Sequence, residues 1–185
     1  MSSSGSFWTR WRVRLGYPLA LACFYLAKPT RGTLLIGSMI GLIGLAIRAW
    51  AAGHLRKGQE LATSGPYAHT RNPLYLGSVI LAAGFAVAAN SLVAAVLIAL
   101  YLLAFYPAVM RREEKEIRLV YGDAYDDYAR SVPLFFPSHR KRFPGTAPFS
   151  SAQYLRNREY QAAIGAAIAL AILCARMWVR VRWSV

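Results

Sequence analysis

Residues 73–110 contain no Asp, Glu, Lys or Arg, and Asn90-Ser91 interrupts them near the middle. That pattern predicts a tight hairpin of two apolar helices, residues 73–89 and 92–110, each close to the ~20 residues that cross a bilayer. Upstream, residues 33–52 predict another span, broken only by Arg48 near its end, where a long side chain can snorkel toward headgroups. Gly37 and Gly41 in that span have the small-xxx-small spacing that lets helices approach closely. Residues 15–27 are short for a span. They become adequate only if Trp8 and Trp11 sit at the interface and the flanking Arg10, Arg12 and Arg14 reach headgroups. Residues 160–179, apolar except for Gln161 and Arg176, predict a fifth span or an interfacial helix. The expected fold is all-α: an integral membrane bundle of four to five transmembrane helices carrying a cytosolic binding patch.

Composition supports lipid as part of the solvent. Of 185 residues, 56% are apolar and 16% charged, too apolar a chain for one soluble core of this size. Lys and Arg outnumber Asp and Glu by 22 to 8, and the basic residues border apolar runs, which points to anionic headgroups more than to nucleic acid. The balance excludes a disordered chain, a disulfide-built module and a typical soluble enzyme. Cys23 and Cys174 each lie in an apolar stretch and read as two buried thiols. Arg10 to Ala27 resembles a signal peptide but lacks a clear small-residue cleavage site, so it reads as a retained first span. With the N-terminus inside, residues 54–71 and 111–159 are cytosolic, as the positive-inside rule asks, whereas Arg176, Arg180 and Arg182 oppose it.

Two cytosolic segments flank the hairpin. The first runs Gln59-Glu60-Leu61-Ala62-Thr63-Ser64-Gly65-Pro66-Tyr67-Ala68-His69-Thr70-Arg71-Asn72-Pro73-Leu74-Tyr75-Leu76-Gly77. Gly65-Pro66 marks a turn, and Asn72-Pro73 a helix start with Asn as N-cap and Pro at the first helical position. Such a start directs a positive dipole end at the loop, a seat for a carboxylate that Arg71 reinforces. The second segment runs Arg111-Arg112-Glu113-Glu114-Lys115-Glu116, then Tyr121-Gly122-Asp123-Ala124-Tyr125-Asp126-Asp127-Tyr128. Charges this dense usually mark a solvated face, and Tyr121, Tyr125 and Tyr128 on one helical face suggest interfacial anchoring. Folded together by the hairpin, the two segments suit a zwitterionic, nucleotide-like ligand. His54, His69 and His139 are scattered, and no metal site is expected.

Taken in order around a charge-free hairpin, these residues resemble the isoprenylcysteine carboxyl methyltransferase family, itself similar to the phospholipid N-methyltransferases. The resemblance rests on Ser64-Gly65-Pro66-Tyr67, Arg71 to Gly77, Glu113-Glu114 with Ile117, Tyr121-Gly122, Tyr125 and Tyr128, and Val132-Pro133, and covers residues 59–137. It implies an integral membrane enzyme that uses S-adenosyl-L-methionine, and no Gly-rich strand–turn–helix fingerprint is present to suggest a Rossmann fold. The resemblance places cofactor contacts at Gln59, Glu60, Leu61, Ala62, Tyr67, Asn72, Pro73, Leu74, Tyr75 and Glu113. Catalytic candidates are Glu113, Glu114 and Arg71. Three positions depart from the family. Asn72 stands where it often has His, and Val109 and Leu134 stand where it has Arg, so recognition of a prenylcysteine carboxylate is not supported.

The sequence therefore predicts a single domain over residues 1–185, with a motif-bearing core at 59–137 and an extra C-terminal helix at 159–185. Its expected activity is methyl transfer to a lipophilic acceptor: an isoprenoid carboxylate, a phospholipid amine or a lipophilic thiol. Expected partners are that acceptor and membrane lipids, not nucleic acid, in a bacterial cytoplasmic membrane with the site facing the cytoplasm. The competing reading is a non-catalytic scaffold binding anionic lipids, which leaves the coincidence of both motifs around the hairpin unaccounted for.

Overall fold

A computed structural model describes residues 4–138, 143, 145 and 147–182, with the side chains of residues 4–10 and 13 outside the description. His139 lies outside it as well. Every regular element among the described residues is helical: α1 (Ser4–Leu26), α2 (Arg31–His54), α3 (Pro73–Ala89), α4 (Leu92–Tyr121), α5 (Asp123–Ser131), α6 (Ser151–Arg156) and α7 (Tyr160–Arg182), with a 3-10 turn at Gly65–Ala68. Helices α2, α4 and α7 are long and apolar enough to cross a membrane, and α3 is a shorter apolar helix. Only 6% of the most apolar stretch of α7 is buried within the protein, so lipid is the solvent its side chains call for. The chain is an integral membrane helical bundle.

The expected hairpin is present with the predicted limits of α3 and the start of α4, but α4 continues past Met110 through the charged segment to Tyr121. Nothing in residues 111–121 breaks a helix, and Gly122, at φ +51°, ends it. The tyrosines thus belong to two helices rather than one face. Helix α1 is longer than the apolar run 15–27 because it also takes in the arginine-bearing residues before it.

Contacts divide the chain into two units, the first comprising Met1–Leu42, Ile80–Arg112 and Gly165–Val185. Its core is Ala27, Leu34, Ala88, Ala89 and Leu173, with Phe24 and Phe85 meeting edge to face at 5.2 Å. Gly37, Gly41 and Gly84 let α2 and α3 pack backbone to backbone: a Cβ on Gly84 would fall 2.6 Å from the Gly37 carbonyl oxygen and 2.6 Å from the Gly41 nitrogen. Arg176, expected as a charge on the wrong side, instead donates to the carbonyls of Ala27 (2.8 Å) and Tyr25, satisfying the end of α1. Cys23 is buried as expected. Cys174 is exposed, because the outward face of α7 has no neighbour in the unit.

The second unit comprises Ile43–Val79 and Glu113–Ile164. Tyr125, Tyr128 and Val132 form its core, with Leu61, Ile117, Tyr121 and Phe143 packed against them. Tyr125 and Tyr128, expected as interfacial anchors, are each only 2% exposed, since the break at Gly122 turns α5 inward. Residues 133–138 run beside 69–72. Arg71 N–H donates to Pro133 (2.9 Å), Ser138 N–H to His69 (2.9 Å), and Thr70 Oγ1 to Phe135 (2.9 Å). Gly65 is required twice over: its φ is +57°, and a Cβ there would lie 2.6 Å from the His54 ring. His54 in turn holds Ser64 Oγ at 3.0 Å through Nδ1.

Candidate functional site

Of the polar residues singled out from the sequence, Arg71, Asn72, Tyr75, Glu113 and Glu114 come together in the second unit, around the first two turns of α3. Pro73 begins α3 with its φ fixed and no N–H to leave unpaired. Asn72 occupies the N-cap position, but its side-chain amide donates to the Leu134 carbonyl (3.0 Å) instead of capping the helix. Tyr75, on the first turn, donates its hydroxyl to Glu113 Oε1 at 2.7 Å. Among the described residues, no cation lies within ion-pair distance of Glu113.

Glu114 is differently placed. It accepts from Arg71 Nη1 and from the Tyr125 hydroxyl (2.7 Å), and Arg71 Nη1 also reaches the Tyr125 oxygen at 3.1 Å. This closed triangle fixes Arg71, whose Nε is buried and has no partner among the described residues. That leaves one guanidinium N–H beside a helix N-terminus with its hydrogen bond unspent. Burial and then Glu114 push the Tyr125 phenol up to about 12, against the pull of Arg71. Burial, aided by the charges of Glu113 and Glu159, likewise raises the Tyr67 phenol well above its ordinary range. Burial does the same to Tyr128, whose hydroxyl donates to the Tyr67 carbonyl at 2.7 Å. All three phenols are therefore uncharged at neutral pH.

Of the other expected contacts, Leu61 packs on the tyrosine core, Ala62 is half-buried, and Gln59 and Glu60 are exposed. Glu60 pairs with Arg56 at 3.4 Å on the surface. Sequence reading missed Arg48 and Glu159. Arg48 does not snorkel: its Nε donates to Glu159, and Nη1 donates to Ser78 Oγ and to the Leu74 carbonyl (3.3 Å). Gly77 makes room for it, since a Cβ there would stand 2.6 Å from Arg48 Cγ. An ionisable residue inside an apolar span was the available signal. Among the described residues, no group of three His, Cys, Asp or Glu is placed to hold a metal ion.

A helical membrane bundle with carboxylates and tyrosines gathered at the start of its hairpin defines the class of protein. Residues 32–124, half of the chain, match the phospholipid methyltransferase family, and the chain belongs to it. It is 36% identical over 104 residues to a nickel-cobalt-cadmium resistance protein of Alcaligenes xylosoxydans, covering 53% of this chain and 48% of that protein. It is 32% identical over 135 residues to a cobalt-zinc-cadmium resistance protein of Cupriavidus metallidurans (69% and 62%). It is 30% identical over 106 residues to the protein-S-isoprenylcysteine O-methyltransferase of Schizosaccharomyces pombe (57% and 45%). The chain spans about half to three-fifths of the length of these curated relatives. No solved structure gives a significant match.

Proposed function

We propose that this protein is an S-adenosyl-L-methionine-dependent methyltransferase acting on a lipophilic acceptor within the membrane. The observation that carries the reading is the pairing of an unspent anion donor, Arg71 Nε, with an uncompensated carboxylate, Glu113, around one helix start. A zwitterionic sulfonium compound has the carboxylate and the cation that these two groups lack. Arg71 and the start of α3 would hold its carboxylate, and Glu113, oriented by Tyr75, its sulfonium. Bound there, S-adenosyl-L-methionine supplies a methyl group already activated for in-line displacement.

The protein's own contribution is alignment and exclusion of water. Tyr67, Tyr125 and Tyr128 stay protonated and add no charge beside the site. A carboxylate or thiolate acceptor needs no general base. An amine acceptor must give up a proton, and Glu113 is the group to receive it, because Glu114 is already engaged by Arg71 and Tyr125. The acceptor's apolar tail stays in lipid while its head reaches the site. With the basic loops inside, the site faces the cytoplasm.

Titration calorimetry of detergent-purified protein with S-adenosyl-L-methionine and with S-adenosylhomocysteine tests this reading. Saturable binding of both is the expected result. Folded protein that binds neither would return the lipid-binding scaffold to first place.

A further inference from the structure

Among the described residues, five charged side chains are tied together by ion pairs and hydrogen bonds around the start of α3: Arg48 and Arg71 against Glu113, Glu114 and Glu159, a balance of −1 in a chain whose formal charge is +14. Three of the eight acidic residues of the chain are gathered here. The negative balance depends on how they are paired. Arg71 is matched by Glu114, and Arg48 by Glu159. Among the described residues, Glu113 is left with the neutral Tyr75 hydroxyl.

Glu159 lies beyond residues 32–124, the stretch matched by the family, and reaches the site from the residue before α7. Asn157, two residues earlier, donates to the carbonyls of Ala52 (2.9 Å) and Leu55 (2.8 Å), docking this linker along the end of α2. Glu159 is only 10% exposed, so its pairing with Arg48 costs desolvation that a packed apolar pair would avoid. Arg48 reaches the Leu74 carbonyl, one residue from Tyr75, and the buried Tyr67 phenol lies within electrostatic reach of all three groups, Glu113 and Glu159 raising it and Arg48 lowering it. Without Glu159, the Arg48 charge would cancel that of Glu113.

We infer that Glu159 is the counter-charge that keeps Glu113 uncompensated, so that the site distinguishes a positively charged sulfonium donor from its neutral thioether product. Glu159 is a positioning residue: it acts on the ligand through Arg48 and Glu113. The inference rests on the methyltransferase reading above, and it adds a device for product release, since loss of the methyl removes the charge the site is built to hold.

Calorimetry with two probes, S-adenosyl-L-methionine and S-adenosylhomocysteine, separates the possibilities. The unmodified protein is expected to bind the sulfonium more tightly than the thioether. Glu159→Gln brings the site to neutral and should lose on the order of tenfold in sulfonium affinity with thioether affinity unchanged. The double variant Arg48→Met with Glu159→Gln removes both charges, returns the balance to −1 and should restore the preference. A staple with no electrostatic role would weaken both ligands equally in the single variant and gain nothing in the double one, and that result overturns the inference. So does an unmodified protein that binds the thioether as tightly as the sulfonium, a comparison needing no variant to fold. Folded, unmodified protein that binds neither probe refutes the methyltransferase reading itself.

Discussion

Glu113 and Glu114 are neighbours in sequence with unlike surroundings, and the difference makes separate predictions for them. Glu113→Gln keeps the hydrogen bond from Tyr75 but removes the charge, and should lower S-adenosyl-L-methionine affinity by about tenfold or more in calorimetry. Glu114→Gln leaves Arg71 facing a neutral amide and should show first as lost thermal stability, because a partly buried guanidinium loses its counter-ion. Tyr128→Phe removes the donor to the Tyr67 carbonyl and should cost about 1–3 kcal/mol, read from unfolding in detergent. The sequence made Glu113, Arg71 and Tyr75 visible because all three fall in motifs beside the hairpin. It could not show which carboxylate is paired. Arg48 and Glu159 are 111 residues apart, and no local pattern joins them.

Elements were more legible than partners. The charge-free run and Asn90-Ser91 set the limits of α3 and the start of α4, since Pro73 can begin a helix and Asn90 accepts φ +49° at the turn. The break at Gly122 was less legible: a helical period continues across it, and only its positive φ separates α4 from α5. The glycines of α2 were read correctly as contact positions, but their partner, Gly84, emerges only from the packing of the helices. Gly84→Ala should therefore be destabilising by on the order of 1–3 kcal/mol, since its Cβ would strike backbone atoms of α2 that cannot move independently. Gly165→Ala on α7 is the control: nothing lies within 4 Å of a Cβ there, and no loss is expected. Thermal unfolding of the two variants side by side checks the pair.

For the molecule as a whole, the buried phenols set an alkaline limit. The folded protein holds Tyr125 up to about 12, and Tyr67 and Tyr128 also above their ordinary range, against about 10 in an unfolded chain. A raised folded value means that the folded state favours the proton. The associated stability is intact below pH 10 and is lost as pH rises from about 10 toward 12. Unfolding temperature should fall across that interval, with tyrosinate absorbance from these residues appearing only as the protein unfolds. Tyr125→Phe should make the fall shallower. Composition gave the membrane setting early, because an apolar excess and a basic one occurring together admit few other solvents.

The contacts made by residues 157–176 also bear on biosynthesis. Asn157 closes the end of α2, Glu159 satisfies Arg48, and Arg176 closes the end of α1. Each of these helices leaves the ribosome more than a hundred residues before the side chain that completes it. The early helices must therefore wait in the bilayer with open carbonyls and an unmatched guanidinium until the later segment arrives. Chains arrested before residue 157 should accordingly be recognised as unfinished and removed by membrane proteases, even though their hairpin motifs are already in place.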